Sequence, residues 1–345
     1  MRALILVAMV LSLSACKPQA AEASQKKHKS YKTKKYAQKH AMGLKKSDKK
    51  TLQTLRHISF LGAATPVPGG VDLSQKVSPP ENQGNCGSCW DFSLTKALRS
   101  EFMLKGMDPG QLEFNYLLNN CGSGPRMYGC NGGDFVAAKS LLNLEGPGLN
   151  ALNPYVQKQS KKCSNQPVKA TAVSYAMLGK GAEGPTFKDL AYAVGVERHM
   201  LSIDVAAGAG DWADYADGIF DDCVDGQVDH MINLVGYSCE SSVDSQGNCL
   251  FDTKGKPVHG DGYLIVQNNW SEDWGIKGYM RTRMYSKRGT KCNAIASDAL
   301  MFQVNSPKPP EPSPSVSPAP TPSKPCSGFL CGELGCWLPW CHKSE

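Results

Sequence analysis

The run Gln83-Gly84-Asn85-Cys86-Gly87-Ser88-Cys89-Trp90 puts a thiol where a loop turns into a helix, with a glutamine amide six residues before it. Apolar residues Trp90, Leu94, Ala97, Leu98 and Phe102 recur at helical spacing and Gly106 is a stop signal, so the pattern predicts a helix over 89–105. A cysteine in the first turn meets unpaired N–H groups and the positive end of the macrodipole, which favour a thiolate. Such a nucleophile needs a base, and the base needs an orienting group. Between residue 61 and the Pro/Ser-rich tail there are three histidines, His199, His230 and His259. His230 stands in an apolar strand-like run over 228–237. Asn268 follows a second such run over 262–267 and is trailed by Trp270 and by the segment 274–279, Trp-Gly-Ile-Lys-Gly-Tyr.

In this order and spacing the three stretches resemble the cysteine, histidine and asparagine motifs of papain-like cysteine proteases. The resemblance implies an α+β, two-lobed fold, with a helical N-terminal lobe, an antiparallel barrel-like C-terminal lobe and the active-site cleft between them. It implies that His230 takes the Cys89 proton, that the Asn268 side-chain oxygen fixes the imidazole tautomer, and that Trp270 covers that hydrogen bond. Gln83 and the Cys89 amide are the implied oxyanion donors. Gly132 and Gly133 are expected to offer a backbone edge to an extended polypeptide substrate. Phe135 and Met231 are expected at the P2 pocket, and Asp298 on its floor, where a carboxylate favours Lys or Arg. Asp91 stands where the motif has a small apolar residue. No motif requires an organic cofactor or a metal.

Fourteen cysteines are present. Without Cys16 in the leader and Cys89, twelve remain, enough for six pairs. By resemblance Cys86 pairs with Cys130, Cys121 with Cys163 and Cys223 with Cys292; Cys239 and Cys249 remain together in an insertion. Cys326, Cys331, Cys336 and Cys341 close the chain. This usage predicts an oxidising compartment.

Residues 1–15 read as a signal peptide, because the apolar run after Arg2 is too short to span a membrane. Leu13-Ser14-Ala15-Cys16 resembles a bacterial lipobox, which makes Cys16 a lipidated first residue and places the protein in the cell envelope, at the outer membrane or released from it. Residues 16–65 read as a basic, disordered tether: 17–60 carry thirteen Lys/Arg against Glu22 and Asp48, whereas the whole chain is only +7. No fold or aromatic platform accompanies this charge, so no nucleic-acid partner is expected. An inhibitory prosegment is not recognisable there, but seven aspartates between 211 and 229 could attract the arm and shield the cleft.

Residues 66–305 are the expected peptidase domain, with helical segments at 112–119 and 135–144 and strands at 201–206, 230–237, 262–267 and 278–285. The insertion at 239–260 reads as a disulfide-pinned hairpin rather than a calcium loop, since its Asp spacing is not that of an EF-hand. Residues 306–325 form a Pro/Ser-rich spacer, and 326–345 a small Cys-rich module whose aromatics could meet an unidentified partner. Two other classes stay open: a peptidoglycan-directed amidase or peptidase, and a non-catalytic binding protein on a protease fold.

Overall fold

The computed structural model describes residues 30–36, 40–142, 146–160 and 162–305. The leader, Cys16, the spacer and the Cys-rich module lie outside the described residues.

Helix α2 (Cys89–Leu104) follows α1 (Lys49–Gln53) and the short strands β1 (Tyr31–Thr33), β2 (His57–Ile58) and β3 (Gly70–Asp72). It ends one residue before the predicted stop, where Gly106 takes a φ of +73°. A further short helix, α3 (Asn115–Leu118), and a 3-10 segment at Phe135–Leu141 pack beside α2, where longer helices were expected. They surround an apolar cluster that includes Trp90, Leu94, Leu98, Leu117 and Leu141.

The rest is dominated by strands: β4 (Ser174–Leu178), β5 (Leu201–Val205), β6 (Tyr215–Phe220), β7 (His230–Ser238), β8 (Tyr263–Gln267), β9 (Tyr279–Arg283) and β10 (Ala299–Gln303). They join one open mixed sheet in the order β1-β6-β9-β8-β7-β5-β10-β4-β2, with β3 also paired to β7. β7 is buried along all but its last residue because β5 and β8 flank it and α2 crosses it. A strand covered on both faces shows a continuous apolar run rather than alternation.

Helix α4 (Phe187–Gly195) was not predicted. Its start is nevertheless written locally: Thr186 and Asp189 form a reciprocal capping box, and Asp189 also accepts a hydrogen bond from Ser59 Oγ at 2.9 Å.

Four disulfides join Cys86–Cys130, Cys121–Cys163, Cys223–Cys292 and Cys239–Cys249. In the insertion, Asp244 Oδ1 accepts the amides of Gln246 and Asn248, and Asp252 Oδ1 those of Lys254 and Lys256. Those carboxylates close turns. Among the described residues no cluster of His, Cys, Asp and Glu is arranged to hold a metal, and no helix is long and apolar enough to cross a membrane.

The expected disordered tether needs correction from Ser30 onward. β1 pairs antiparallel with β6, and α1 buries Leu52. Lys32 and Lys35 form ion pairs with Asp217 and Asp214, and Tyr31 Oη donates to Asp211 Oδ2 at 3.0 Å. Low hydrophobicity misleads here because the arm's order comes from backbone pairing, a few anchors such as Tyr31 and Leu52, and charges supplied by a distant acidic run.

Candidate active site

Cys89 is the first residue of α2, and a disulfide-closed loop delivers it there. Cys86 is bonded to Cys130, and the Gly87 amide donates to the Cys130 carbonyl at 3.2 Å. The N-cap residue Ser88 makes no side-chain cap; its hydroxyl instead meets Tyr155 Oη at 2.8 Å. The helix amides are thus left for another acceptor. Cys89 is the one free cysteine among the described residues, and it is fully buried.

β7 and β8 bring the other two groups. His230 opens β7, and its Nε2 lies 2.8 Å from Asn268 Oδ1, just past the end of β8. Since amide oxygen only accepts, Nε2 carries the hydrogen and Nδ1 is left as the basic nitrogen. Trp270 lies over this pair, 4.9 Å from the imidazole between ring centroids. Asn269, which the sequence reading passed over, stitches the assembly: its Nδ2 reaches the carbonyls of Met231 at 2.9 Å and Cys89 at 3.5 Å. Ser93 on α2 donates to the Ile232 carbonyl at 2.8 Å and takes Asn233 Nδ2 on its own carbonyl at 2.9 Å, fixing helix to strand.

The cleft is occupied by the chain's own arm. Gln83 Nε2 donates to the Ala41 carbonyl at 2.8 Å. Gly133 donates to the Gly43 carbonyl at 2.9 Å and accepts from the Lys45 amide at 2.8 Å; Leu44 donates to the Asp229 carbonyl at 3.0 Å. Gly132 sits at φ +113°, and a Cβ there would lie 2.5 Å from Gly43 O, so glycine is required where the arm passes. His40 stacks on Trp270 at 5.1 Å, nearly parallel.

Covered in this way, both side chains are held toward their neutral forms. Burial pushes the Cys89 thiol up to about 12, although the Met231, Gly43 and Trp90 amides pull it the other way. Burial takes His230 down to about 4, with Asn268 opposing and His40 and Lys96 adding to the fall. Asp91 is fully buried, bonds Thr95 Oγ1 at 3.0 Å, and is held well above the carboxylate range by burial.

A sequence profile described as papain family cysteine protease matches residues 67–302, the span that holds Gln83, Cys89, His230 and Asn268. The chain belongs to the papain family of cysteine proteases. A cathepsin L-like proteinase of Phaedon cochleariae is 28% identical over 225 residues, 64% of this chain and 61% of that protein. Chymopapain of Carica papaya is 29% identical over 246 residues, 69% and 62% respectively. The chain thus spans about three-fifths of the length of these relatives. Among solved structures, the bromelain protease of Ananas comosus with the E64 inhibitor superposes with a TM-score of 0.55 at 26% identity, over 69% of this chain and all of that one. The papain-like fold is therefore shared.

The expected P2 residues of this papain-family chain divide. Asp298 lines a cavity of about 300 Å³ together with Val228, Lys291, and Lys46 and Leu52 of the arm. Phe135 and Met231 do not line it. They are 2% and 0% exposed, packed with Cys89 and Trp90 in the apolar cluster under the nucleophile. For Met231 the reason is strand alternation: with His230 turned to the cleft, its neighbour turns to the opposite side, into α2. Asp204, on β5, lines the same cavity and was missed; its Oδ1 accepts the Asp298 amide at 2.9 Å and its Oδ2 has no partner. It reads as one of two polar residues, with Ser202, alternating with apolar ones in a short strand, which carries no chemical signal by itself.

Proposed function

We propose that the chain is a cysteine endopeptidase acting on polypeptides. Cys89 is the nucleophile, His230 the general base and then acid, Asn268 the orienting group, and Gln83 with the Cys89 amide the oxyanion donors. The sulfur attacks a peptide carbonyl while its proton passes to Nδ1 of His230. Collapse of the tetrahedral adduct breaks the C–N bond, and the imidazolium returns that proton to the leaving amine. Water then hydrolyses the thioester and restores the thiol. The observation that supports this most is the His230–Asn268 hydrogen bond under Trp270, in a chain whose free cysteine among the described residues opens a helix.

The arm keeps this site latent. A thiol near 12 beside an imidazole near 4 does not transfer its proton, so the thiolate–imidazolium pair forms only when residues 40–46 leave and water returns. Ala41 occupies the oxyanion donor and Gly43 the Gly133 edge that substrate needs.

Substrates with Lys or Arg at P2 are favoured, through Asp298 in its cavity beside Asp204. The protein works in an oxidising, exported setting, and lipidation at Cys16 anchors it in the bacterial envelope. Full-length Gly43→Val protein, in which a side chain lifts the arm, should release peptides from casein, and adding Cys89→Ala or His230→Ala should abolish release. Casein left intact by it while muropeptides are released from sacculi would replace this reading with the amidase one.

A further inference from the structure

Lys96 is 1% exposed, two helical turns past Cys89 on α2, where a cation has no obvious structural use. Its Nζ donates to Gln267 Oε1 at 2.7 Å and reaches the Asn268 carbonyl at 3.4 Å. Gln267 is the last residue of β8, and its own amide donates to the Ser78 carbonyl at 2.7 Å and to Tyr279 Oη at 3.1 Å. The next residue, Asn268, holds His230. One helix thus carries the nucleophile at its start and, further along, an ammonium gripping the strand end that orients the base.

We propose that Lys96 is a positioning residue for the Asn268–His230 pair, and that its positive charge biases the dyad toward thiolate. The inference rests on the peptidase reading above. A buried ammonium served by an amide and a carbonyl is costly, because neutral acceptors do not replace the hydration it has lost. Glu81 is the carboxylate whose field reaches it; His230 and, through Gln267, Tyr279 are the other titratable groups facing it. Burial brings the ammonium down to about 7, against Glu81, so the charge is present throughout the acid range. There it disfavours a second cation on His230 and favours an anion on Cys89.

The test is the pH profile of kcat/KM on a fluorogenic peptide for full-length wild type and Lys96→Met, an unbranched apolar replacement. The acid limb of the profile, where Lys96 is charged, should move to higher pH by roughly one unit, and kcat should fall about tenfold through loosened geometry. If Lys96→Met does not fold, Gln267→Glu supplies a compensating carboxylate at the same place and should move that limb in the same direction. An acid limb that stays in place in a folded variant overturns the proposal, whether or not kcat falls. A Gly43→Val protein, with the arm lifted, that hydrolyses no peptide instead overturns the peptidase reading itself.

Discussion

Gly43 crosses Gly87 so closely that a Cβ on Gly43 would lie 1.9 Å from the Gly87 carbonyl oxygen. Gly87 belongs to the loop that presents Cys89, and this contact puts bare backbone against that loop. A side chain at residue 43 cannot be accommodated without lifting the arm. Overpacking costs about 1–3 kcal/mol, which raises the undocked population about fivefold or more. Gly43→Val should therefore raise peptidase activity of the full-length protein at neutral pH by that factor, measured as initial rate on a fluorogenic peptide. Unchanged activity would contradict the latency argument.

Docking of the arm should weaken in acid. His40 lies half-buried against Trp270, and burial lowers its pKa from the usual 6.5. A base whose pKa is depressed on docking favours the docked state while neutral, so its contribution is intact above about 6.5 and lost as pH falls below it. His230 acts in the same direction. Hydrogen exchange over residues 40–46, corrected for the intrinsic pH effect, should show opening increasing below that pH. His40→Phe, which keeps the stacking, should flatten the dependence; an identical dependence would remove His40 from the account.

Asn268→Ala removes the acceptor that fixes the His230 tautomer. With the base free to rotate, kcat should fall about tenfold to a hundredfold with KM little changed. Trp270→Ala should lower kcat less, by admitting water to the bond it covers. Steady-state kinetics checks both, and a kcat in Asn268→Ala equal to wild type would discount the observed 2.8 Å contact as a catalytic element.

For specificity, a charge-assisted contact contributes about 1.5–3 kcal/mol. Asp298→Ala should therefore reduce the kcat/KM ratio of Arg over Leu at P2 by tenfold or more. Asp204→Ala should reduce it too, because Asp204 Oδ1 takes the Asp298 amide and sets that residue's position. A ratio near one in wild type would dismiss the preference.

What could be read in the sequence was what is local. The Cys89 helix announces itself by spacing and a glycine stop, and His230 and Asn268 stand out as polar residues in apolar runs. The arm could not be read. Its grip on the cleft uses backbone groups of Ala41, Gly43 and Lys45, which leave no side-chain signature, and its anchors to Asp214 and Asp217 are nearly 180 residues away. His40 was set aside by its position, yet the fold returns it to Trp270. Phe135 and Met231 share an apolar cluster with Leu52 of the arm, a contact that their proximity to Gly133 and His230 in sequence does not announce. Asn269 and Lys96 act through partners distant in sequence, so only the three-dimensional arrangement gives them roles.

The central claim is that Cys89 becomes a nucleophile with His230 once the arm leaves. It is tested most directly by treating full-length Gly43→Val protein with an E64-type epoxide and mapping the modified residue by mass spectrometry. One adduct, on Cys89, that is lost in the Gly43→Val/His230→Ala double variant is the predicted result. No adduct, or one of equal yield without His230, would contradict it.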